Sequence, residues 1–358
     1  MNRPLHTTLI LAPEDVQYII QHIGADQLMD QLIARLEQAF LKFDSAQTDI
    51  PIRSGFNYEK PYPGLIEWMP LYQARDQIVI KVVGYHPENP NRFALPTIVS
   101  TISAYDSSNG HLIGLADGVL LTALRTGAAS ALATRYLAKQ ESTSLGLIGC
   151  GAQAITQLHA ITRVRDIKDV RFYDADTQTM ANFVERCTAL QLDCQFISTT
   201  LKAVVEQSDV ICTATSIDVG EGPLFDGFST LSHVHVNAVG SDFPGKIELP
   251  KSLLEQSFIC PDFIEQALKE GECQQLSRAE IDTDIIEFIK QKDSRPAVKE
   301  VRTVFDSTGW ALEDQVVMDL FMEYANQLGR GQKVAIESLQ EDAKNPYHFL
   351  SDVAVKTY

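Results

Sequence analysis

No run of basic residues occurs anywhere in this chain of 358 residues, and its formal net charge is -17. A surface of that sign repels phosphate backbones and anionic lipid, which excludes nucleic acid and the membrane surface as partners. Missing too is any uninterrupted apolar stretch near the roughly 20 residues that span a bilayer. Met1 to Thr8 is polar and lacks the basic-then-apolar character of a leader, so a soluble, cytoplasmic protein is expected. The cysteines (Cys150, Cys187, Cys194, Cys212, Cys260 and Cys273) include no C-x-x-C pair and read as free, mostly buried thiols. No two histidines stand four apart with an acidic partner, so no metal is assigned. Internal repeats, low-complexity tracts and flexible linkers are also absent.

What is present suffices for a large core: 45% of the residues are apolar, and the length divides most simply into two domains. From Asp26 to Phe43, Leu28, Leu32, Ile33, Leu36, Ala39, Phe40 and Phe43 recur at helical spacing. Short β-branched segments follow at Gly64-Met69, Gln77-Val83, Thr97-Tyr105 and His111-Leu115, separated by turn signals, and predict an antiparallel meander. Helical spacing returns from Leu120 to Lys139, where Gly127, Ala128, Ala129, Ser130 and Ala131 permit close approach of another backbone. Strands then alternate with helices from Leu145 to Val239, with further apolar runs at Ser257-Cys260 and Val301-Asp306, and Leu312-Leu328 is helical again.

That order predicts an α/β protein: a Rossmann-type, doubly wound parallel sheet over residues 131–311, inserted into a discontinuous α+β domain of residues 1–130 plus 312–358. The second domain is expected to bind substrate and to form dimers.

The nucleotide site has a specific signature. Gly149-Cys150-Gly151-Ala152-Gln153-Ala154 lies between the apolar run Ser144-Ile148 and a helical stretch, and the next strand ends at Asp174. Gly149 allows the tight turn, Gly151 lets backbone reach a pyrophosphate, and Ala154 permits close packing of helix on strand. The helix start offers its partial positive charge to phosphate. Asp174 accepts from both adenosine ribose hydroxyls and repels a 2′-phosphate, which selects NAD over NADP. Cys150 reads as a space-filler in that turn. Thr215, after the strand end Cys212-Thr213-Ala214, presents a hydroxyl toward ribose.

Peptides outside that turn carry a resemblance. Gly64-Leu65-Ile66-Glu67-Trp68-Met69-Pro70, Lys81-Val82-Val83, Leu124-Arg125-Thr126-Gly127-Ala128, the stretch Asn237 to Leu249, Glu270-Gly271-Glu272 and Val304-Phe305-Asp306-Ser307-Thr308-Gly309 resemble the ornithine cyclodeaminase/μ-crystallin family, in the family's order. Within it the likeness is greatest to bacterial ornithine cyclodeaminases. Other members are alanine dehydrogenases, ketimine reductases and lysine cyclodeaminases.

The resemblance implies conversion of L-ornithine to L-proline and ammonia. Hydride passes from the substrate Cα to NAD, the distal amine attacks the resulting imine, ammonia leaves, and the hydride returns. Alternatives are an amino-acid dehydrogenase or ketimine reductase, a cyclodeaminase for lysine or another diamino acid, and a non-catalytic binding protein of the crystallin kind. A homodimer and a small amino-acid substrate are implied as partners. By the same correspondence Arg53, Lys81 and Arg125 bind the substrate α-carboxylate, chemistry that guanidinium and ammonium groups suit. Glu67 grips the distal amine, although a glutamate on a strand between apolar residues is, taken alone, more often a solvent-facing carboxylate. Asp242, just beyond the strand Val234-Val239, is the expected proton donor and acceptor, or else a turn former before Phe243-Pro244-Gly245. Thr97, Arg125, Ala152, Gln153, Thr215, the backbone of Val236, Asn237, Ala238 and Val239, Lys246 and Ser307 are implied for the cofactor, and Thr308 for substrate. The chain departs from the cyclodeaminase pattern at Cys150, Ser241, Phe243 and Thr308, and Phe243 and Thr308 put chain-length selectivity in doubt.

Overall fold

Strands that bury one face alternate in burial, and strands covered on both faces do not; the chain contains one sheet of each kind. The computed structural model describes residues 6–227, 229–291, 296–337, 344–347 and 350. The first five residues and most of those beyond 337, which belong to the expected discontinuous domain, lie outside the described residues.

The first sheet begins with β1 (Thr8–Leu11), continues through β2 (Thr48–Asp49), β3 (Ser54–Tyr58), β4 (Gly64–Gln73), β5 (Gln77–Tyr85), β6 (Ile98–Asp106) and β7 (Leu112–Asp117), and closes with β15 (Gln332–Val334), the last strand among the described residues. Strands β4 to β7 pair successively and antiparallel, as the alternation predicts. The sequence reading missed β1, which lies parallel to β7 and antiparallel to β15. It also missed β2 and β3, which pair antiparallel with β4.

The helices are α1 (Pro13–Ile23), α2 (Ala25–Lys42), α3 (Asn89–Arg92), α4 (Val119–Leu137), α5 (Ala152–Thr162), α6 (Thr177–Ala181), α7 (Phe183–Cys187), α8 (Leu201–Gln207), α9 (Lys251–Leu254), α10 (Ile264–Glu270), α11 (Ile285–Lys290) and α12 (Ala311–Leu328). The helical stretch after Asp176 is broken at Asn182 into α6 and α7. Leu28, Leu32, Leu36 and Phe40 of α2 join Val79, Ile102, Leu132 and Phe321 in one core between the first sheet and helices α2, α4 and α12. Burying side chains of this size contributes about 1.5–3 kcal/mol each.

The second sheet holds β8 (Ser144–Ile148), β9 (Asp169–Tyr173), β10 (Gln195–Ser198), β11 (Val210–Thr213), β12 (His235–Ala238), β13 (Phe258–Pro261) and β14 (Thr303–Asp306). All its pairings are parallel, in the order β10-β9-β8-β11-β12-β14-β13. The chain moves outward from β8 to β10, then resumes on the other side at β11. The connections therefore diverge above β8 and β11, which opens a crevice at their carboxyl ends.

Helix α4 joins the two sheets. Its Gly127 sits so close to the Thr156 carbonyl of α5 that an added Cβ would lie 2.6 Å from that oxygen. The small residues thus permit the close approach expected of them. The expected boundary between residues 130 and 131 falls inside this unbroken helix.

Candidate active site

The turn from β8 to α5 has the shape a dinucleotide requires. Gly149 has φ +91°, and a side chain there would strike the Ala214 carbonyl. Around Gly151, by contrast, nothing lies within 4 Å of an added Cβ. Gly151 caps α5 without any side-chain hydrogen bond, so the first-turn N–H groups of Ala152 and Gln153 face the crevice available to an anion. Asp174 stands across the turn: Oδ2 accepts the Cys150 N–H at 2.7 Å and Oδ1 that of Asp176 at 2.8 Å. Each carboxylate oxygen has a further lone pair for a ribose hydroxyl. These residues fit NAD. Cys150 is fully buried and its thiol is pushed up to about 12, chiefly by burial, so it fills space.

The remaining cofactor residues divide. Val236, Asn237 and Ala238 form β12, whose backbone is held in ladders to β11 and β14. The Asn237 side chain donates to Thr134 Oγ1 at 3.0 Å, inside the protein. Of the four, only Val239 lies past the strand's end. The Thr215 N–H and hydroxyl both donate to buried Glu248, at 2.7 and 2.6 Å, which leaves the hydroxyl oxygen as an acceptor. Ser307 lies beside β12, its N–H donating to the Ala238 carbonyl at 2.9 Å, and its buried hydroxyl has no hydrogen-bond partner. Thr97 precedes β6, its carbonyl accepting the His86 N–H at 2.8 Å.

Asp242 follows β12 at the carboxyl end of the sheet and is exposed on one side, with Oδ1 accepting from Lys246 Nζ at 3.0 Å. Next to it opens a cleft of about 210 Å³, lined among others by Arg53, Gly55, Glu67, Phe243 and Glu270. Arg53 holds its centre. The guanidinium donates to the carbonyls of Thr308 and Gly309, sits 2.6 Å from Glu270 Oε1 and lies 3.6 Å from Glu67 Oε2. Burial raises the Glu67 carboxyl above its ordinary range, and Arg53 opposes the rise. Glu270 is pushed up to about 7, again chiefly by burial against the opposing Arg53 charge.

Behind the cleft is a second, buried ionic cluster. Lys81 Nζ is 3.0 and 2.9 Å from the two oxygens of Asp314, and Arg125 Nε donates to the same carboxylate at 3.0 Å. Arg125 Nη1 donates to Glu313 at 2.8 Å. Burial and the nearby Arg125 charge lower Lys81 to about 7, and burial raises Glu313 to about 8. Gly309, at φ +73°, must be glycine because a Cβ would occupy the Arg125 guanidinium. Thr308 is fixed by Asp262 and Gln266, each at 3.0 Å from its hydroxyl.

The expected cations are therefore brought together, each with carboxylate partners the sequence reading did not supply. In the sequence Glu270 is one residue of the peptide Glu270-Gly271-Glu272, and Glu313, Asp314 and Asp262 carry no motif of their own. Acidic residues in a helix's first turn look like ordinary dipole-stabilising residues. The available signal was that buried Lys81 and Arg125 require counter-charges.

A parallel sheet whose first turn fits a dinucleotide, with an ionic cleft beside its carboxyl edge, defines a Rossmann-type α/β protein. Residues 14–328 match the ornithine cyclodeaminase/mu-crystallin family, and the chain belongs to that family. It is 40% identical to an L-lysine cyclodeaminase of Streptomyces rapamycinicus, over 95% of this chain and 99% of that protein. Identity to an ornithine cyclodeaminase of Agrobacterium tumefaciens is 30%, over 87% of this chain and 85% of the relative. An archaeal alanine dehydrogenase dimer with bound NAD superposes with a TM-score of 0.81 at 31% identity, covering 92% of this chain and 100% of that one. Among the described residues, no helix is long and apolar enough to cross a membrane.

Proposed function

We propose that the protein is an NAD-dependent cyclodeaminase of an L-diamino acid, with lysine favoured over the ornithine that the sequence alone suggested. The observation that carries this reading is the Arg53 guanidinium set between Glu270 at 2.6 Å and Glu67 at 3.6 Å in the cleft beside Asp242. Such a site binds a carboxylate and an ammonium side by side. A substrate that closes on itself presents its two ends in that way. The greater identity to a lysine than to an ornithine cyclodeaminase supports lysine.

Bound NAD would supply the hydride acceptor, and then the hydride donor, that the substrate Cα requires. Gly149, Gly151, Ala152, Gln153 and Asp174 hold its phosphates and ribose, with Thr97, Arg125, Thr215, Val239, Lys246 and Ser307 around the rest. Arg53, Lys81 and Arg125 hold the α-carboxylate with N–H donors beyond those used internally. Glu67 grips the distal ammonium, Thr308 bounds the substrate, and Asp242 moves protons at the α-nitrogen. Fixing the distal nitrogen near the imine carbon removes several kcal/mol of barrier, because the attack is intramolecular. In this reading residues 131–311 carry the cofactor, while residues 1–130 with 312–358 carry the substrate cations and the dimer face. Phe56, Ile66 and Val82, exposed on adjacent strands β3, β4 and β5, support a homodimer.

The test is incubation of the full chain with catalytic NAD and either lysine or ornithine, followed by assay of ammonia, cyclic imino acid and NADH. Cyclic product with ammonia and without net NADH is expected. Stoichiometric NADH with a released keto acid would reject cyclisation in favour of a dehydrogenase.

A further inference from the structure

Ring closure of a diamino acid, the reaction proposed above, requires two nitrogen atoms to lose protons. The α-ammonium must release one before hydride can leave Cα. The distal ammonium, whose ordinary pKa is about 10.4, must release another before its lone pair can attack. Asp242 serves the first nitrogen, so the second needs an acceptor of its own.

The acceptor's position is constrained. For attack, the substrate folds so that its distal nitrogen lies beside Cα, and hence beside the α-carboxylate. Its acceptor must therefore adjoin a group that binds carboxylate. Glu270, the last residue of α10, meets that condition. It lines the cleft with its side chain 7% exposed and stands 2.6 Å from the Nε of Arg53. Arg53 is itself pinned by the Thr308 and Gly309 carbonyls, so the carboxylate and guanidinium form a fixed pair. Glu67 lies on the other side of that guanidinium.

We propose that Glu270 accepts the proton of the distal ammonium, with Glu67 holding that ammonium in place and Arg53 linking both to the substrate carboxylate. One N–H bond of the ammonium breaks and its electron pair stays on nitrogen as the attacking lone pair. The proton forms an O–H bond on Glu270, and nothing is oxidised or reduced in this step. The surroundings suit the task. Burial raises Glu270 to about 7, the charges of Glu67, Asp242 and Asp262 push the same way, and Arg53 opposes them. Lys269 lines the same cleft, and the Asp306 carboxylate lies directly against the following Gly271. A carboxyl poised there gains and loses a proton near neutrality.

The inference rests on the cyclodeaminase reading, and the experiment separates the two. Wild-type and Glu270→Gln full chains are compared in cyclodeamination of lysine and ornithine with NAD, and in NADH-dependent reduction of 1-piperideine-2-carboxylate, which has no free distal ammonium. Norleucine, which also lacks the distal amine, reports on carboxylate binding as a competitive inhibitor. The kcat of cyclodeamination is expected to fall at least about 100-fold more than that of imine reduction, the scale of a lost acid-base group. The limb of the kcat–pH profile titrating near 7 should vanish with it, and Glu270→Asp should restore part of both. Equal losses in both reactions, with weakened norleucine inhibition, would overturn the proposal and leave Glu270 as a support for Arg53 alone. A wild-type enzyme that cyclises neither substrate would instead overturn the assignment of the reaction.

Discussion

Asp314→Asn removes the one carboxylate shared by two buried cations, and its consequence can be worked from the geometry. Asp314 has no exposed surface, and its oxygens lie within 2.9–3.0 Å of Lys81 Nζ and Arg125 Nε. At an effective dielectric of about 20, each contact is worth roughly 5 kcal/mol of attraction. Desolvation of the ions offsets several kcal/mol per ion, and deleting one member of such a buried group costs about 3–5 kcal/mol net. Glu313 can ionise to serve Arg125, which places the expected loss toward the lower end. Lys81 adds a pH signature. With its pKa at about 7, it is protonated at pH 6, and the charge and hydrogen bond of Asp314 favour that protonated state. Losing that proton accounts for about 1.4 kcal/mol at one unit below the pKa, and for almost nothing at pH 9, where the amine is already neutral. Urea denaturation of wild type, Asp314→Asn, Lys81→Met and the double variant at pH 6 and pH 9 measures both quantities. A loss under about 1 kcal/mol at pH 6, or the same loss at both pH values, would refute the reasoning.

Three further outcomes are expected. Asp242→Asn should lower turnover by at least about 100-fold while NAD binding, followed by fluorescence titration, stays nearly intact; normal turnover would remove Asp242 from the chemistry. Asp174→Ala should weaken NAD binding roughly 10- to 100-fold, the range for hydrogen bonds to a charged group, and should narrow the preference over NADP. An unchanged NAD affinity would contradict the ribose contact. Glu270, Asp306 and Glu313 have folded pKa values raised by burial to about 7, 7 and 8. Such groups contribute stability that is complete below the unfolded carboxyl pKa of about 4 and is lost as pH rises through 7 to 8. The urea midpoint should therefore fall between about pH 5 and pH 6, where Lys81, with its pKa at about 7, remains largely protonated, and Asp306→Asn should flatten that fall. A midpoint that rises across this interval would count against the buried carboxyls.

The elements with a strong local pattern were legible without coordinates. Period-two burial fixes strands β4 to β7, and helical spacing fixes α2, α4 and α12. The phosphate turn was equally plain, because its glycines are demanded by backbone sterics within a few residues. Short elements with no period of their own were not legible: β1 and β3 exist because β7 and β4 offer them hydrogen bonds, and no propensity at Thr8 or Ser54 declares that. The same divide runs through the site. Lys81, Arg125, Glu67 and Asp242 sit in recognisable peptides, whereas Glu313 and Asp314 look like ordinary first-turn acids of α12.

By itself, then, the sequence carried the nucleotide sheet and its glycine turn, and marked Asp174, Arg53, Lys81 and Arg125 as candidates for the site, since each is read from neighbours close in the chain. Only the tertiary structure decided which carboxylate meets which cation. Arg53 pairs with Glu270, and Lys81 and Arg125 share Asp314, across separations of roughly two hundred residues. Burial and Coulomb interaction depend on distance through space, and the chain brings those groups together only when both sheets close on α4 and α12.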